Sequence, residues 1–303
     1  MDYRLRKHES VPAGCQRIVC EEIASVLQEI HACSLGADPV KPIHDARKHL
    51  KKLRAITRLV RPAIGDESYL RETGSFRRVA RRMATSRDAA VCVKTVEILQ
   101  KDAPENLLPT LDAAHAFFSG ALTHHRLPAH RTLDSISASL VETAASVRDW
   151  SFSCRCSKML RKGMERIYRR ARKAGIAAKE TPSVELLHKW RMRTKEFWAV
   201  LRLFRGAENK RISRIEADAK ELGDLLGKDH DLAVLKDILF REREAVGLSG
   251  EALVELEHHV ETRRASLQRK SWELGEECYP AKPEKFVEAF LDRWEDWCGN
   301  GAR

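Results

Sequence analysis

An internal repeat is the feature that most constrains how this 303-residue chain can fold. The segment 43–47, Ile-His-Asp-Ala-Arg, returns 144 positions later at 187–191 as Leu-His-Lys-Trp-Arg. Basic residues outside these segments match at the same offset: Arg17 with Arg161, Lys51 with Lys195 and Arg58 with Arg202. With one single-residue slip the matches extend over roughly 75 residues, which is typical of a duplicated structural unit. We therefore predict two related halves, 1–150 and 151–303, arranged about a pseudo-two-fold axis.

The hydrophobic pattern predicts an all-α fold. Apolar residues recur at helical spacing in nearly every long segment, and the breaks fall where proline and glycine occur. Aromatic residues make up only 6% of the chain, whereas many-stranded sheets are rich in them. Each half is therefore expected to be a helical bundle. The predicted helices are 11–34, 41–61, 66–84, 87–102, 105–125, 131–149, 155–175, 183–205, 208–226, 230–246, 250–275 and 283–298.

The repeated helix carries a row of basic residues in each half. The pattern His-x2-Arg-x3-Lys-x6-Arg occurs at His44, Arg47, Lys51 and Arg58, and again at His188, Arg191, Lys195 and Arg202. At about 100° per residue, the four positions fall within roughly 60° of one another and span about 21 Å. The opposite face is apolar, with Leu50 and Leu53 in one half and Phe197 and Leu201 in the other. We call these rows the first and second basic stripes.

A polar face of one sign predicts an anionic ligand, because like charges stacked along a helix repel one another. The net charge of +11 points the same way. Arginine offers phosphate a planar fork, and histidine can donate near neutral pH. A row of this length suits a linear phosphate polymer, held in a groove or pore shared by the two bundles. Further basic residues are expected at its margin: Arg17, Lys48, Arg81, Arg82, Arg161 and Arg166, with additional charge at Arg77 and in the run 158–173.

Other functions lack the residues that they would need. No phosphate-binding glycine loop is present, and the carboxylates near the basic face, Asp88, Asp229 and Asp231, lie at predicted helix junctions. We therefore expect no enzyme activity, no catalytic residue, no metal and no cofactor, with a phosphohydrolase as a weak alternative. Nucleic-acid binding is the main alternative, because nucleic acids also attract lysine and arginine. Against it, no helix-turn-helix, aromatic platform or zinc finger is evident.

The same motifs resemble the CHAD family, the conserved histidine α-helical domain. The resemblance rests on the segment 44–47 with Leu50, Leu53 and Arg54, on 188–191 with Lys195, and on the junction segments 87–88 and 226–231. The resemblance extends over nearly the whole chain. We therefore treat residues 1–303 as a single domain. Its specificity comes from the duplication more than from any one motif.

Membership would imply two helical bundles in pseudo-symmetry, a basic central surface and binding of inorganic polyphosphate. The stripe residues, together with Arg54, would then be ligands. The chain has Ala84 where the family often has glycine, and Trp198 and His230 stand where the first half has Arg54 and Arg87. These departures predict that the two halves contribute unequally.

Cysteine use and hydropathy bear on the location of the protein. The eight cysteines are scattered, and only Cys154 and Cys156 lie close together, so we expect free thiols. No apolar run reaches the length of a membrane span, and the N-terminus does not resemble a signal peptide. The expected location is the cytoplasm, without membrane contact. Attachment to polyphosphate granules and the oligomeric state are left open.

Overall fold

A computed structural model describes residues 2–35, 40–83, 87–123, 130–207 and 209–298 of the chain. Every regular element within these ranges is helical, which confirms the predicted all-α class. The helices are α1 (Val11–Ser34), α2 (Val40–Arg82), α3 (Arg87–Gln100), α4 (Leu108–Thr123), α5 (His130–Arg148), α6 (Cys156–Glu180), α7 (Val184–Leu201), α8 (Lys210–Arg241), α9 (Arg243–Val246), α10 (Gly250–Cys278) and α11 (Pro283–Cys298). Short 3-10 turns occupy Glu105–Leu107 and Arg202–Phe204. Ala84 lies outside the described residues, as do the side chains of Arg87 and Asp88.

Helix α2 does not end at Pro62, as the sequence predicted, but continues to Gly65, where φ is 79°. A proline removes only one helical hydrogen bond, and burial of the next residues, Ala63 and Ile64, outweighs that loss here. The carbonyl of Ala63 accepts hydrogen bonds from Ser153, at 3.0 Å from its amide and 2.8 Å from its hydroxyl. The break therefore falls at glycine, which tolerates the left-handed conformation.

The predicted interruption near residue 227 is also absent, because α8 runs unbroken through Gly223 and Gly227. Both glycines are buried inside this helix, and both face side chains of α7. Glycine in a helix interior costs about 1 kcal/mol relative to alanine. The close approach of α7 to α8 gives these two glycines a packing role that offsets the cost.

Helices from before and after residue 150 pack on one another and share a core. Helix α1 lies on α2 and α5, and α6 lies on α7 and α11. Helix α2 also crosses α6 and α7, so residues from both halves enter the larger apolar core. A smaller core is formed by α3, α4, the second part of α8 and α10. The duplication, its pseudo-two-fold axis and the boundary near residue 150 stay predictions.

Two close helix contacts set the orientation of α6 and α7. A β-carbon on Gly163 would overlap the carbonyl oxygen of Leu59, so glycine lets α6 cross α2 at backbone distance. Trp190 of α7 is buried against Gly175 and Gly275 and stacks on Trp272 at 5.1 Å. With Trp190 directed inward, the neighbouring basic residues of α7 point towards α8 and the surface.

The eight cysteines are free thiols, as predicted, and Cys15, Cys33, Cys92 and Cys278 are buried. Burial raises the pKa of the Cys15 thiol to about 12, so this group behaves as a small apolar side chain. In the part of the chain that the structure describes, none of the helices combines the length and the apolar character of a membrane span.

Candidate functional site

The first basic stripe begins on the exposed surface of α2. His44 and Lys51 are exposed there, and Lys48, beside them, donates to Asp45 Oδ1 at 2.8 Å. Arg47 is half-buried, and its Nη1 donates to the carbonyl oxygen of Ala80 at 3.0 Å. This bond ties the stripe to the second part of α2, beyond Gly65, and holds the guanidinium in place at the surface.

The second basic stripe lies flat against the glycine face of α8. A β-carbon on Gly223 would come within 2.8 Å of Lys195 Cε, and one on Gly227 within 3.3 Å of Arg191 Nε. The absence of side chains at these glycines leaves room for the two basic side chains to lie along α8. Lys195 Nζ then reaches Asp224 Oδ1 at 2.7 Å.

His188 begins the second stripe and packs against His230 of α8, with ring centroids 4.3 Å apart and the two rings tilted by 42°. Its Nδ1 is buried and has no hydrogen-bond partner among the described residues. Burial lowers the pKa of His188, and the charges of Arg191 and Lys51 lower it further. Because Lys51 belongs to the first stripe, the structure brings the two stripes next to each other.

Arg58 was predicted to extend the first stripe, but the structure places it in the interior. It is buried, paired with the buried carboxylate of Glu196, and donates to the Tyr69 hydroxyl from Nε at 3.3 Å and Nη2 at 3.2 Å. The face of α2 that carries the stripe is exposed at its start and covered by α7 further along. Arg58 therefore joins the two halves and is not on the exposed surface.

Arg202 lies in the 3-10 turn that follows α7. Its guanidinium is over the rings of Tyr3 and Trp198, at 5.4 and 5.0 Å from their centroids. Nε of Arg202 is buried without a hydrogen-bond partner among the described residues. The aromatic contacts hold it at the end of the second stripe.

The predicted margin residues differ in their availability. Arg17 is ion-paired with Glu9 at 2.6 Å and with Glu21 at 3.1 Å, so its charge is balanced within the protein. Arg82 is exposed and donates to Ser135 Oγ at 3.0 Å. Arg81 and Arg161 are exposed, and Arg166 is half-buried.

Several guanidiniums from α2, α6 and α7, three helices that pack against one another, lie near enough to repel one another electrostatically. We call this group the arginine cluster, and its members are Arg54, Arg77, Arg166, Arg170 and Arg193. Burial lowers the pKa of Arg54, and the neighbouring charges of Arg58 and Arg77 add to the effect. Nε of Arg54 is buried and has no hydrogen-bond partner in the described ranges. Such a concentration of like charge is costly without an anion.

The interior carboxylate beside the cluster is Glu196. It accepts a hydrogen bond from Arg193 Nη1 at 3.1 Å and also pairs with buried Arg58. Asp66 lies near Arg166, but its ion pair is with Arg61, at 2.6 Å. Positive charge therefore exceeds negative charge at this position by a wide margin.

Arg54 and Arg166 were among the predicted site residues, whereas Arg77, Arg170 and Arg193 were not. Arg77 and Arg170 stood out only as additional charge, and Arg193 carried no signal of its own, because it lies off the stripe on α7. These side chains come from different helices, and no spacing within one helix relates them. The described residues contain no group of three histidine, cysteine or acidic side chains arranged to hold a metal ion.

The described part of the chain is thus all-helical, with arginine and lysine side chains from several helices near the crossing of α2, α6 and α7. The chain belongs to the CHAD domain family, whose sequence model matches residues 17–239. This confirms the family that the repeated motifs resembled. The crystal structure of the CHAD domain from the plant Ricinus communis is similar in fold, with a TM-score of 0.56 and 18% sequence identity over 96% of this chain and 93% of that chain. No match was found among curated proteins.

Proposed function

We propose that this chain binds inorganic polyphosphate, without catalysis, on the surface formed by the two basic stripes and the arginine cluster. The observation that carries the proposal is that α2, α6 and α7 pack against one another, and that basic side chains from these helices lie near one buried carboxylate, Glu196, which pairs with Arg58 and Arg193. Membership of the CHAD family, which the motifs imply to be polyphosphate-binding, supports it. The matched packing of α1 on α2 and of α6 on α7 also fits a surface shared by two related bundles.

The chemistry of the side chains favours a phosphate polymer. Arginine binds phosphate oxygens through paired hydrogen bonds, and a charge-assisted bond is roughly twice as strong as a neutral one. Apart from buried Arg58, the stripe residues follow one another along α2 and along α7 with its 3-10 turn, so successive phosphates of one chain can contact successive side chains. Release of counterions from such a polymer predicts affinity that falls steeply with salt, by analogy with nucleic acids.

The alternatives have weaker support at the same surface. Asp229, one candidate for metal-assisted hydrolysis, is buried and accepts hydrogen bonds from Arg264 at 3.1 Å and Gln268 at 2.8 Å. Stacking of nucleic-acid bases would need an accessible ring, yet Trp198 beside the second stripe has Lys195 and Arg202 over it at 5.2 and 5.0 Å. A base would have to displace these cations.

One titration separates the three functions. Long-chain polyphosphate, single-stranded DNA and double-stranded DNA are titrated at about 150 mM salt, where the charges of exposed groups are screened beyond about 8 Å. We expect polyphosphate to bind at least about tenfold more tightly than either DNA, a difference of about 1.4 kcal/mol. Its chain length should stay constant during incubation. Equal affinity for DNA would favour the nucleic-acid function, and shortening of the polymer would indicate an enzyme.

Binding is expected to take up protons through His188. Its lowered pKa favours the neutral ring in the free protein, whereas a bound polyanion would cancel the repulsion by Arg191 and Lys51 and raise that pKa. Affinity should therefore increase as pH falls through about 6.5, the usual pKa of histidine. Calorimetry in buffers with different ionisation enthalpies at pH 6 and pH 8 measures the protons taken up.

The matched control for this effect is His258→Gln, which removes an exposed histidine on α10. Uptake at pH 6 should fall in His188→Gln and stay unchanged in His258→Gln. Identical uptake in all three proteins would mean that the His188 ring does not sense the ligand.

We place this binding in the cytoplasm. The free thiols of all eight cysteines fit a reducing compartment. Imaging of the tagged protein against stained polyphosphate granules would decide whether the granules are its location.

A further inference from the structure

The arginine cluster has a counterpart in the other half of the repeat, and the two are chemically unequal. Extending the repeat alignment pairs Arg54 with Trp198, Arg77 with Lys220, Arg166 with Glu22, Arg170 with Val26, and Arg193 with His49. At four of the five aligned positions, the other half therefore has an aromatic, acidic, aliphatic or histidine residue in place of arginine. Only Arg77 corresponds to another residue that is always cationic near neutral pH.

At the counterpart position, formed by the residues that align with the cluster, a buried carboxylate of the protein itself balances the basic side chains. Glu22 is buried, with His49 Nδ1 at 2.6 Å from one of its carboxylate oxygens and Lys52 Nζ at 2.9 Å from the other. Lys52 also lies over the Tyr3 ring at 4.8 Å, and Arg202 shares that ring. The basic groups at this position thus already have an acidic or aromatic partner.

The difference arises in the outer helix of each half. In the first half α1 contributes Glu22, which supplies a carboxylate, and Val26, which carries no charge. In the second half α6 contributes Arg166 and Arg170 at the equivalent positions, and the pKa of Arg170 is lowered by burial and by the nearby charges of Arg193 and Arg58. The two arginines of α6, which stand where α1 has Glu22 and Val26, therefore make this position cationic, whereas the charges at the α1 position balance.

We infer that the arginine cluster is a phosphate subsite present on one side of the pseudo-two-fold axis only, and that it takes a compact run of two or three consecutive phosphates. The inference rests on the proposed function. Each stripe runs along one helix, whereas the side chains of the cluster come from three helices and lie near one another. Buried Arg58 and Glu196 close its inner side. The unpartnered Nε of Arg54 is a donor that a phosphate oxygen would satisfy.

The repeat supplies a matched pair of variants, Arg77→Gln and Lys220→Gln. Both side chains are exposed, so neither change should affect folding. The ligands are tripolyphosphate and long-chain polyphosphate, with affinities measured by calorimetry at constant salt. We expect Arg77→Gln to weaken tripolyphosphate binding about tenfold, because one charge-assisted guanidinium contact is lost. Lys220→Gln should change it less than about twofold, the size of a screened surface charge.

The phosphates could be a chain end or an internal segment, and a long chain with both ends blocked as phosphoramidates distinguishes these sources. If the cluster binds chain ends, blocking should remove the effect of Arg77→Gln on long chains. If it binds internal segments, the effect should remain. Equal losses in Arg77→Gln and Lys220→Gln would overturn the one-sided subsite, and so would failure of tripolyphosphate to bind while long chains bind. Failure of every polyphosphate to bind would instead contradict the proposed function.

Discussion

Replacing Arg47 and Arg191 together with glutamate is expected to weaken polyphosphate binding at least about 100-fold, equivalent to about 2.7 kcal/mol. The two residues occupy equivalent positions on the stripes, and the structure brings the stripes together where Lys51 lies near His188. Reversal replaces two guanidinium forks with two repelling carboxylates at the centre of the surface. Calorimetric titration with long-chain polyphosphate measures the loss, and circular dichroism checks that the helices are retained.

The control is a second reversal, Arg214→Glu with Arg241→Glu, which changes the net charge by the same amount. Both of these arginines are exposed on α8, with side chains 73% and 64% accessible. This pair should lower affinity only a few-fold, through the weaker long-range field. An equal loss in both double variants would show that overall charge, and not the stripes, attracts the polymer. Unchanged affinity in the first pair would place the site on another face.

Replacing Glu196 with alanine is expected to destabilise the protein by about 3–5 kcal/mol, the usual cost of breaking a buried ion pair on one side. Arg58 would stay buried with only the Tyr69 hydroxyl as a polar partner. Nearby Arg54 and Arg193 would then repel it without compensation. Urea unfolding followed by circular dichroism gives the change in the free energy of unfolding.

Asp224→Ala is the matched control, because it removes the carboxylate partner of Lys195 at a half-exposed position. Its cost should stay below about 1 kcal/mol, as for other surface ion pairs. A comparably small cost for Glu196→Ala would mean that water reaches Arg58, and that the ion pair does not hold the two halves together.

The helical bounds show what periodicity can predict. The predicted segments 11–34 and 283–298 agree with α1 and α11, because each is bounded by local signals that act within a few residues. The helix ends predicted at Pro62 and near Gly227 were wrong, although both residue types usually end helices. Their cost here is offset by burial against distant parts of the chain, which no local signal reports.

The site shows the same division. Spacing along one helix correctly indicated that His44 and Lys51 share an exposed face, because helical geometry alone determines that relation. Spacing could not reveal that Arg58, on the same face, is covered by α7. Nor could it reveal the arginine cluster, whose members lie far apart in sequence and meet only when three helices cross.

The sequence by itself therefore determined the helical class, the family and two basic stripes, because each is written in short-range periodicity or in a repeated motif. The tertiary structure decided which charges face solvent, which are neutralised, and which converge. Charge effects depend on distance and burial, and these follow from how helices pack. Glu22 and Arg166 correspond in the predicted repeat alignment, yet only the packed structure shows Glu22 balancing His49 and Lys52 while Arg166 lies near other arginines.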